Sequence, residues 1–271
     1  MSIPVLNTVR VTQIKDITGK LVKAHFANSL GLEPDIVNII NALVKKESGF
    51  ISNSLGKPVG TGKGSMGANY MNSSAVQAVL RSSSVTEIQK NNIDNGLRAV
   101  GLMQIMGYNF VRKATSTGVC ELERIRPDLA PQLVVEPGED MITPILGDTN
   151  MDKAILAGLI MLEGKYRAVQ PLQVSQKLRG YTVKGDPYRR VFSTKLSGAI
   201  AAYIGLGKAD LNGTTPEAYS ASIVGGDVYI AANGKASYKI YDWSMNVVST
   251  NGPATNGINQ DKIGSPGCTK A

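Results

Sequence analysis

Residues 33–50 read EPDIVNIINALVKKESGF. Pro34 and Asp35 are start signals for a helix. Apolar Ile36, Ile40 and Leu43 follow on one helical face, and the next position of that stripe is Glu47. Lys45 and Lys46 fall off the stripe. A charged side chain on the buried face of a helix must be paired, perturbed or lining a cleft, because stripping water from an isolated charge is costly. Glu47 is therefore the candidate catalytic acid. The plainer alternative is a solvated helix end.

Working outward, the composition narrows the classes. The chain has 271 residues, 42% of them hydrophobic, which is enough for a real core. Its formal charge of +8 favours polyanionic partners such as wall polymers, anionic membranes or nucleic acid. The Lys and Arg are scattered with no block, which argues against nucleic acid. His25 is the single histidine, so a His-dependent triad is nearly excluded, and an ordinary helix position suits it better. The two cysteines, Cys120 and Cys268, form no metal-ligand spacing, so no metal and no cofactor is expected; whether they pair stays open. The first twenty residues show no basic segment followed by an apolar run, so no secretory signal is expected. Apolar stretches such as AILAGLIML are too short to span a membrane.

Along the chain, residues 1–32 are expected to be an N-terminal extension, with a short strand TVRVTQI and a helix around 20–30. Residues 51–98 are expected to be an enlarged loop, Gly- and Ser-rich at first, with one or two short helices near its end. AVGLMQIMGYNFVRKAT predicts a helix from about Leu102, and residues 118–147 are irregular. DTNMDKAILAGLIMLEGKYRAV predicts a buried helix with the stripe Ile155, Leu159, Leu162 and Tyr166. Ala157 and Gly158 there permit close packing. Residues 168–192 form a polar connection. STKLSGAIAAYIGLGKAD predicts a central apolar helix, and a last helix starts at Pro216. Two alternating aromatic runs around Asn233-Gly234 predict a hairpin. The chain after Thr250 is Gly-, Pro- and Asn-rich and is expected to be loose or docked. The expected architecture is a mainly α domain over 33–225 with a small C-terminal β-hairpin appendix over 226–271.

Four of these segments, in order, resemble the lysozyme-like domain of soluble lytic transglycosylases, related in fold to goose-type lysozymes. ALVKKESGF resembles the family's helix end with its catalytic Glu and following Ser. AVGLMQIM resembles its Gly-Leu-Met-Gln segment. DTNMDKAILAGLIMLEGKY resembles its buried helix, and AAYIGLGK its Ala-Ala-Tyr-Asn-Ala-Gly turn. PEAYSASIV is a weaker fifth match. Together they span about residues 30–225. The chain departs from the pattern in the long span between Glu47 and Gly101, in Gly107 where the family has Pro, and in Ile204 and Gly205 where the family has Asn and Ala.

The resemblance implies cleavage of the β-1,4 bond between N-acetylmuramic acid and N-acetylglucosamine in peptidoglycan. Glu47 acts first as acid and then as base, and the product is a 1,6-anhydro end. Ser48, Met103, Gln104, Tyr203 and Tyr219 are the implied substrate-binding and supporting residues. Met103 stays open between core and groove, Tyr203 between packing and holding Glu47, and Ser48 between a local cap and the site. A lysozyme-type muramidase is the alternative, with Asp94, Asp140 or Asp148 as candidates to place a water. A non-enzymatic virion or wall-binding protein is a further alternative. Peptidoglycan strands are the expected partner. The expected setting is a bacteriophage virion or an endolysin, made in the host cytoplasm and acting in the periplasm or wall, with docking to tail or other virion proteins through 226–271.

Overall fold

The computed structural model describes residues 3–112, 120–171, 181–183, 190–192, 194–204, 216–224, 226–232, 235–241 and 247–254. The protein is mainly helical. Its contacts divide it into two units, Met1–Met161 and Leu162–Ala271.

In the first unit, helix α1 (Ile3–His25) packs on α2 (Ile36–Ser48). α1 buries Ile14, Thr18 and Val22, and Phe26 follows just past its end, four residues apart on one helical face. The strand expected at residues 8–14 is part of this helix. Val9 and Val11 alternate over a single turn only, and Val9 is 55% exposed, so the alternation marks no sheet face. The stretch from Ile14 to Leu30 thus contributes to the first unit's core and is no mere extension. α2 buries Ile36, Ile40 and Leu43, as the stripe predicts, and Val44 beside them. Each large side chain so buried contributes about 1.5–3 kcal/mol of transfer free energy.

Three short helices occupy the segment 51–98: α3 (Met66–Met71), α4 (Ser74–Leu80) and α5 (Glu87–Asn95). Side chains cap all three. Ser65 accepts from the Ala68 amide, Ser73 from that of Val76, and Thr86 forms a reciprocal capping box with Gln89. α4 and α5 lie where short helices are expected; α3 lies inside the stretch expected as loop.

The helix expected from Leu102 is absent. Its place is taken by a hairpin, β1 (Ala99–Val100) against β2 (Ile105–Met106), then a 3-10 turn at Gly107–Phe110. Gly101 at φ 75° and Gln104 at φ 47° are left-handed, which breaks any helix there. Beyond lie α6 (Glu121–Ile125) and α7 (Met151–Ala168). The α7 stripe Ile155, Leu159, Leu162 and Tyr166 is buried as expected. Gly158 lets the hairpin sit against this helix, because a Cβ there would overlap the Met103 side chain. The division between the units falls inside α7.

The second unit holds a six-stranded antiparallel sheet in sequential order. Its strands are β3 (Val169–Pro171), β4 (Tyr181–Val183), β5 (Arg190–Phe192), β6 (Gly226–Ala232), β7 (Lys235–Tyr241) and β8 (Val247–Ala254). Helices α8 (Lys195–Tyr203) and α9 (Pro216–Val224) pack on each other, and α8 also contacts β3, β4 and β5. Ser220 Oγ donates to the Ser197 carbonyl at 2.7 Å, tying α9 to α8. Glu163, 2% exposed on α7, accepts from Arg167 one turn on at 2.9 Å.

Two expectations change here. The two runs predicted to pair around Asn233-Gly234 do pair, as β6 and β7, but they are no isolated appendix, since β6 pairs with β5 through Val191↔Tyr229. The connection 168–192 contributes three strands of three residues, too short to show a period of two in sequence. The chain past Thr250 is strand to Ala254. The turn residues Asn233-Gly234, together with Trp243, Gly205 and Cys268, lie outside the described residues. Among the described residues no helix is long and apolar enough to cross a membrane.

Two outcomes follow from this packing. Gly158→Ala gains helix propensity yet should destabilise the protein by about 1–3 kcal/mol in urea denaturation, because overpacking outweighs it. The penalty should shrink in a Met103→Ala background. Cys120, buried at the start of α6, has its thiol pushed by burial from 9.0 up to about 12. A raised folded pKa stabilises fully below the unfolded value and loses that contribution as pH rises through about 12. Alkylation at pH 8, read by peptide mass, should spare Cys120 until the protein is unfolded.

Candidate functional site

α2 delivers Glu47 to its C-terminal turn, half-buried, with Gly49 closing the helix. The Gly49 amide donates to the Lys45 carbonyl at 3.0 Å. Gly49 and Phe50 are both left-handed, at φ 60° and 68°, so the chain turns sharply after the carboxylate. Glycine adopts this conformation freely, whereas Phe50 does so at a cost of about 1–2 kcal/mol. Ser48 is buried and its hydroxyl donates to the Val44 carbonyl at 3.1 Å. That bond is local to the helix, so Ser48 acts as a local back-bonding residue.

The reversed chain then lies along the hairpin. The Gly101 amide donates to the Ser54 carbonyl at 2.9 Å, and the Gly56 amide to that of Ala99 at 2.8 Å. Leu55 bridges Val100, and the Val59 amide reaches Leu97 at 2.8 Å. Backbone pairing therefore closes the long span between the two motifs of the first unit. Gln104 completes the junction. Its Nε2 donates to the Gly101 carbonyl at 2.8 Å and to Ser54 Oγ at 3.0 Å. The polar residue within an apolar segment thus has its reason: its amide ties the hairpin loop to the chain leaving Glu47.

Met103 is 1% exposed and packs at Gly158. It belongs to the core, and the groove-lining role implied for it does not fit that burial. Gly107 also has a local reason. Its amide donates to Arg98 at 2.7 Å, which proline cannot do, and a Cβ there would come within 2.5 Å of the Asn95 carbonyl oxygen. The end of the enlarged segment occupies that space. Tyr70 seals the same region, its hydroxyl donating to the Ile93 carbonyl at 3.0 Å. Burial, with Asp94 adding, pushes the Tyr70 hydroxyl pKa up, and burial does the same to Tyr108.

A third set of bonds fastens the turn after Glu47. Arg10 on α1 donates from Nη1 to the Phe50 carbonyl at 3.1 Å, and from Nη2 to both Asp148 oxygens at 2.8 Å. Asp148 also accepts from the Ser52 hydroxyl. The Gly147 amide donates to the Ser52 carbonyl at 3.2 Å. Of the aspartates weighed for placing a water, Asp148 is engaged in this way. Asp140 accepts from the amides of Ile142 and Thr143 at 2.9 and 3.1 Å. Burial pushes Asp140 up, but the hydrogen bonds from Thr143 and Ile142 outweigh it and hold the carboxyl below its usual value. Asp94 is exposed on α5.

Glu47, Ser48, Met103 and Gln104 thus all lie in the first unit. Tyr203 and Tyr219 belong to the second. Tyr203 ends α8, partly exposed, and Tyr219 is 3% exposed on α9. Ile204 caps α8. Ser54 and Arg10 are the residues that sequence patterns do not reveal. Ser54 sits in a Ser/Asn-rich loop, and Arg10 meets a partner 138 positions away. Among the described residues no three His, Cys, Asp or Glu side chains gather as a metal site.

Comparison with protein-family models, with curated proteins and with solved structures yields no match to the chain.

The backbone at Gln104 can be tested apart from its side chain. Gln104→Ala and Gln104→Gly both lose the amide bonds, but glycine relieves the left-handed strain. Urea denaturation should find the glycine variant more stable than the alanine variant by about 1 kcal/mol.

Proposed function

We propose that this protein cleaves the β-1,4 bond between N-acetylmuramic acid and N-acetylglucosamine in peptidoglycan, without consuming water. One observation carries the proposal. Glu47 is a half-buried carboxylate at a helix end, and the chain leaving it is hydrogen-bonded through Ser54 to the hairpin that carries Gln104. A carboxyl group in partial burial suits proton transfer near neutral pH better than a solvated one.

In the proposed reaction Glu47 gives its proton to the glycosidic oxygen as the bond to the muramoyl C1 breaks. The substrate's own N-acetyl group stabilises the oxocarbenium-like centre. The muramoyl 6-hydroxyl then attacks C1 and returns its proton to Glu47, leaving a 1,6-anhydro end. Every proton is accounted for and no second carboxylate is required. Of the three aspartates weighed for placing a water, Asp140 and Asp148 are engaged in structural bonds, which leaves Asp94, exposed on α5, as the residue a muramidase reading would call on. The basic charge of the chain, +8, suits an anionic wall polymer. The proposed setting is a phage virion or endolysin, with attachment through the region past residue 225. That region supplies three of the six strands of the sheet, so its docking role overlaps with its packing role.

Glu47→Gln keeps the shape and removes the acid. Clearing of purified peptidoglycan should fall by about 10²–10⁴-fold. A folded Glu47→Gln protein with full activity would sink the assignment. Mass spectrometry of the wild-type digest should show anhydromuramoyl ends, one water lighter than reducing ends. Reducing ends alone would identify a muramidase. A folded wild-type protein that cleaves nothing would favour a wall-binding or virion role.

A further inference from the structure

We propose that Arg10, in a part of the chain that carries none of the matched motifs, is a positioning residue for Glu47. The proposal rests on the function assigned to Glu47 above.

The geometry begins with strain. The two residues that close the Glu47 helix turn, Gly49 and Phe50, are consecutive and left-handed. Phe50 is a bulky residue, 7% exposed, in a conformation that L side chains disfavour. Such a turn persists only if its surroundings hold it. One hold is burial of the Phe50 ring. The other is Arg10, whose Nη1 donates to the Phe50 carbonyl at 3.1 Å.

Arg10 is itself immobilised. Its Nη2 meets both carboxylate oxygens of Asp148 at 2.8 Å, and the Arg10 side chain is 23% exposed. Asp148 in turn takes the Ser52 hydroxyl, and the Ser52 carbonyl takes the Gly147 amide. Three separate pieces of chain therefore meet at 50–52: α1, the turn after Glu47, and the start of α7. A planar guanidinium can serve a carbonyl and a carboxylate at once from different nitrogens, which a lysine ammonium on its flexible stem does less well.

Glu47 sits three residues before Phe50, on the last turn of α2. Release of the Phe50 carbonyl would let the strained turn relax toward allowed backbone and fray that last turn. A carboxyl group that delivers a proton is sensitive to displacements on the order of 1 Å. Loss of the clamp should therefore act on the chemical step and spare substrate binding.

The test is steady-state kinetics on soluble glycan fragments, with amide hydrogen exchange on the same full-length proteins. Arg10→Ala should lower kcat at least tenfold with KM within twofold. It should speed exchange at Gly49 and Ile51, whose amides bond to Lys45 and Ser48. Asp148→Ala should give the same drop, and the double variant no more than either alone. Arg10→Lys should recover only part of kcat. A folded Arg10→Ala protein with kcat within twofold of wild type, or with unchanged exchange at Gly49 and Ile51, overturns the proposal. Should Arg10→Ala fail to fold, Ser52→Ala, which loosens the same clamp more gently, decides by the same two readouts. The underlying function is judged separately: activity retained in Glu47→Gln removes the reaction, while activity lost there but kept in Arg10→Ala removes only the positioning role.

Discussion

The turn at Gly49-Phe50 is the constraint on which the first unit depends. Two left-handed residues in succession reverse the chain directly behind α2. Without that reversal the segment 54–59 would not run beside the hairpin, and the bonds from Gly101 and Gln104 to Ser54 would not form. The turn carries a conformational cost at Phe50, and the structure offsets it in two ways. It buries the ring, and it bonds the carbonyl to Arg10. Strain of this kind gathers where a fold must hold a functional group in a set place.

Close approach of backbone to side chain is the second organising feature. Gly158 leaves room for Met103, and Gly107 leaves room for the end of α5. The first explains why Met103 is buried, and the second why glycine suits position 107, where a Cβ would meet the Asn95 carbonyl and the amide must donate to Arg98. The span between α2 and the β1–β2 hairpin is an ordered part of the first unit. It folds into three capped helices and returns against the hairpin through Asn95, Gly96 and Arg98. In the second unit, β5 joins the C-terminal hairpin to the strands that follow α7, so one sheet gathers pieces from both sides of α8 and α9.

Where the local pattern extends over several turns, sequence and structure agree. The stripes of α2 and α7, the start of α9 at Pro216, and the pairing of β6 with β7 are all legible, because periodic burial or a turn dipeptide repeats the signal. Short elements escape. β1 and β2 have two residues each, and β3, β4 and β5 three, so no period can show in them. The strand expected at 8–14 fails for the same reason, since two alternating valines are outweighed by a helix that buries every fourth residue from Ile14 to Val22.

The amino-acid sequence by itself determined the mainly helical class, the faces of the long helices, and the carboxylate that continues an apolar stripe. Each of these depends on neighbours within a few turns. Only the tertiary structure decided that Met103 is core, that Ser48 bonds within its own helix, and that Ser54 receives Gln104. It alone joined Arg10 to Asp148 across 138 positions. Those outcomes depend on which distant backbone comes close enough to bond or to exclude a side chain, and no local pattern of residues encodes that distance.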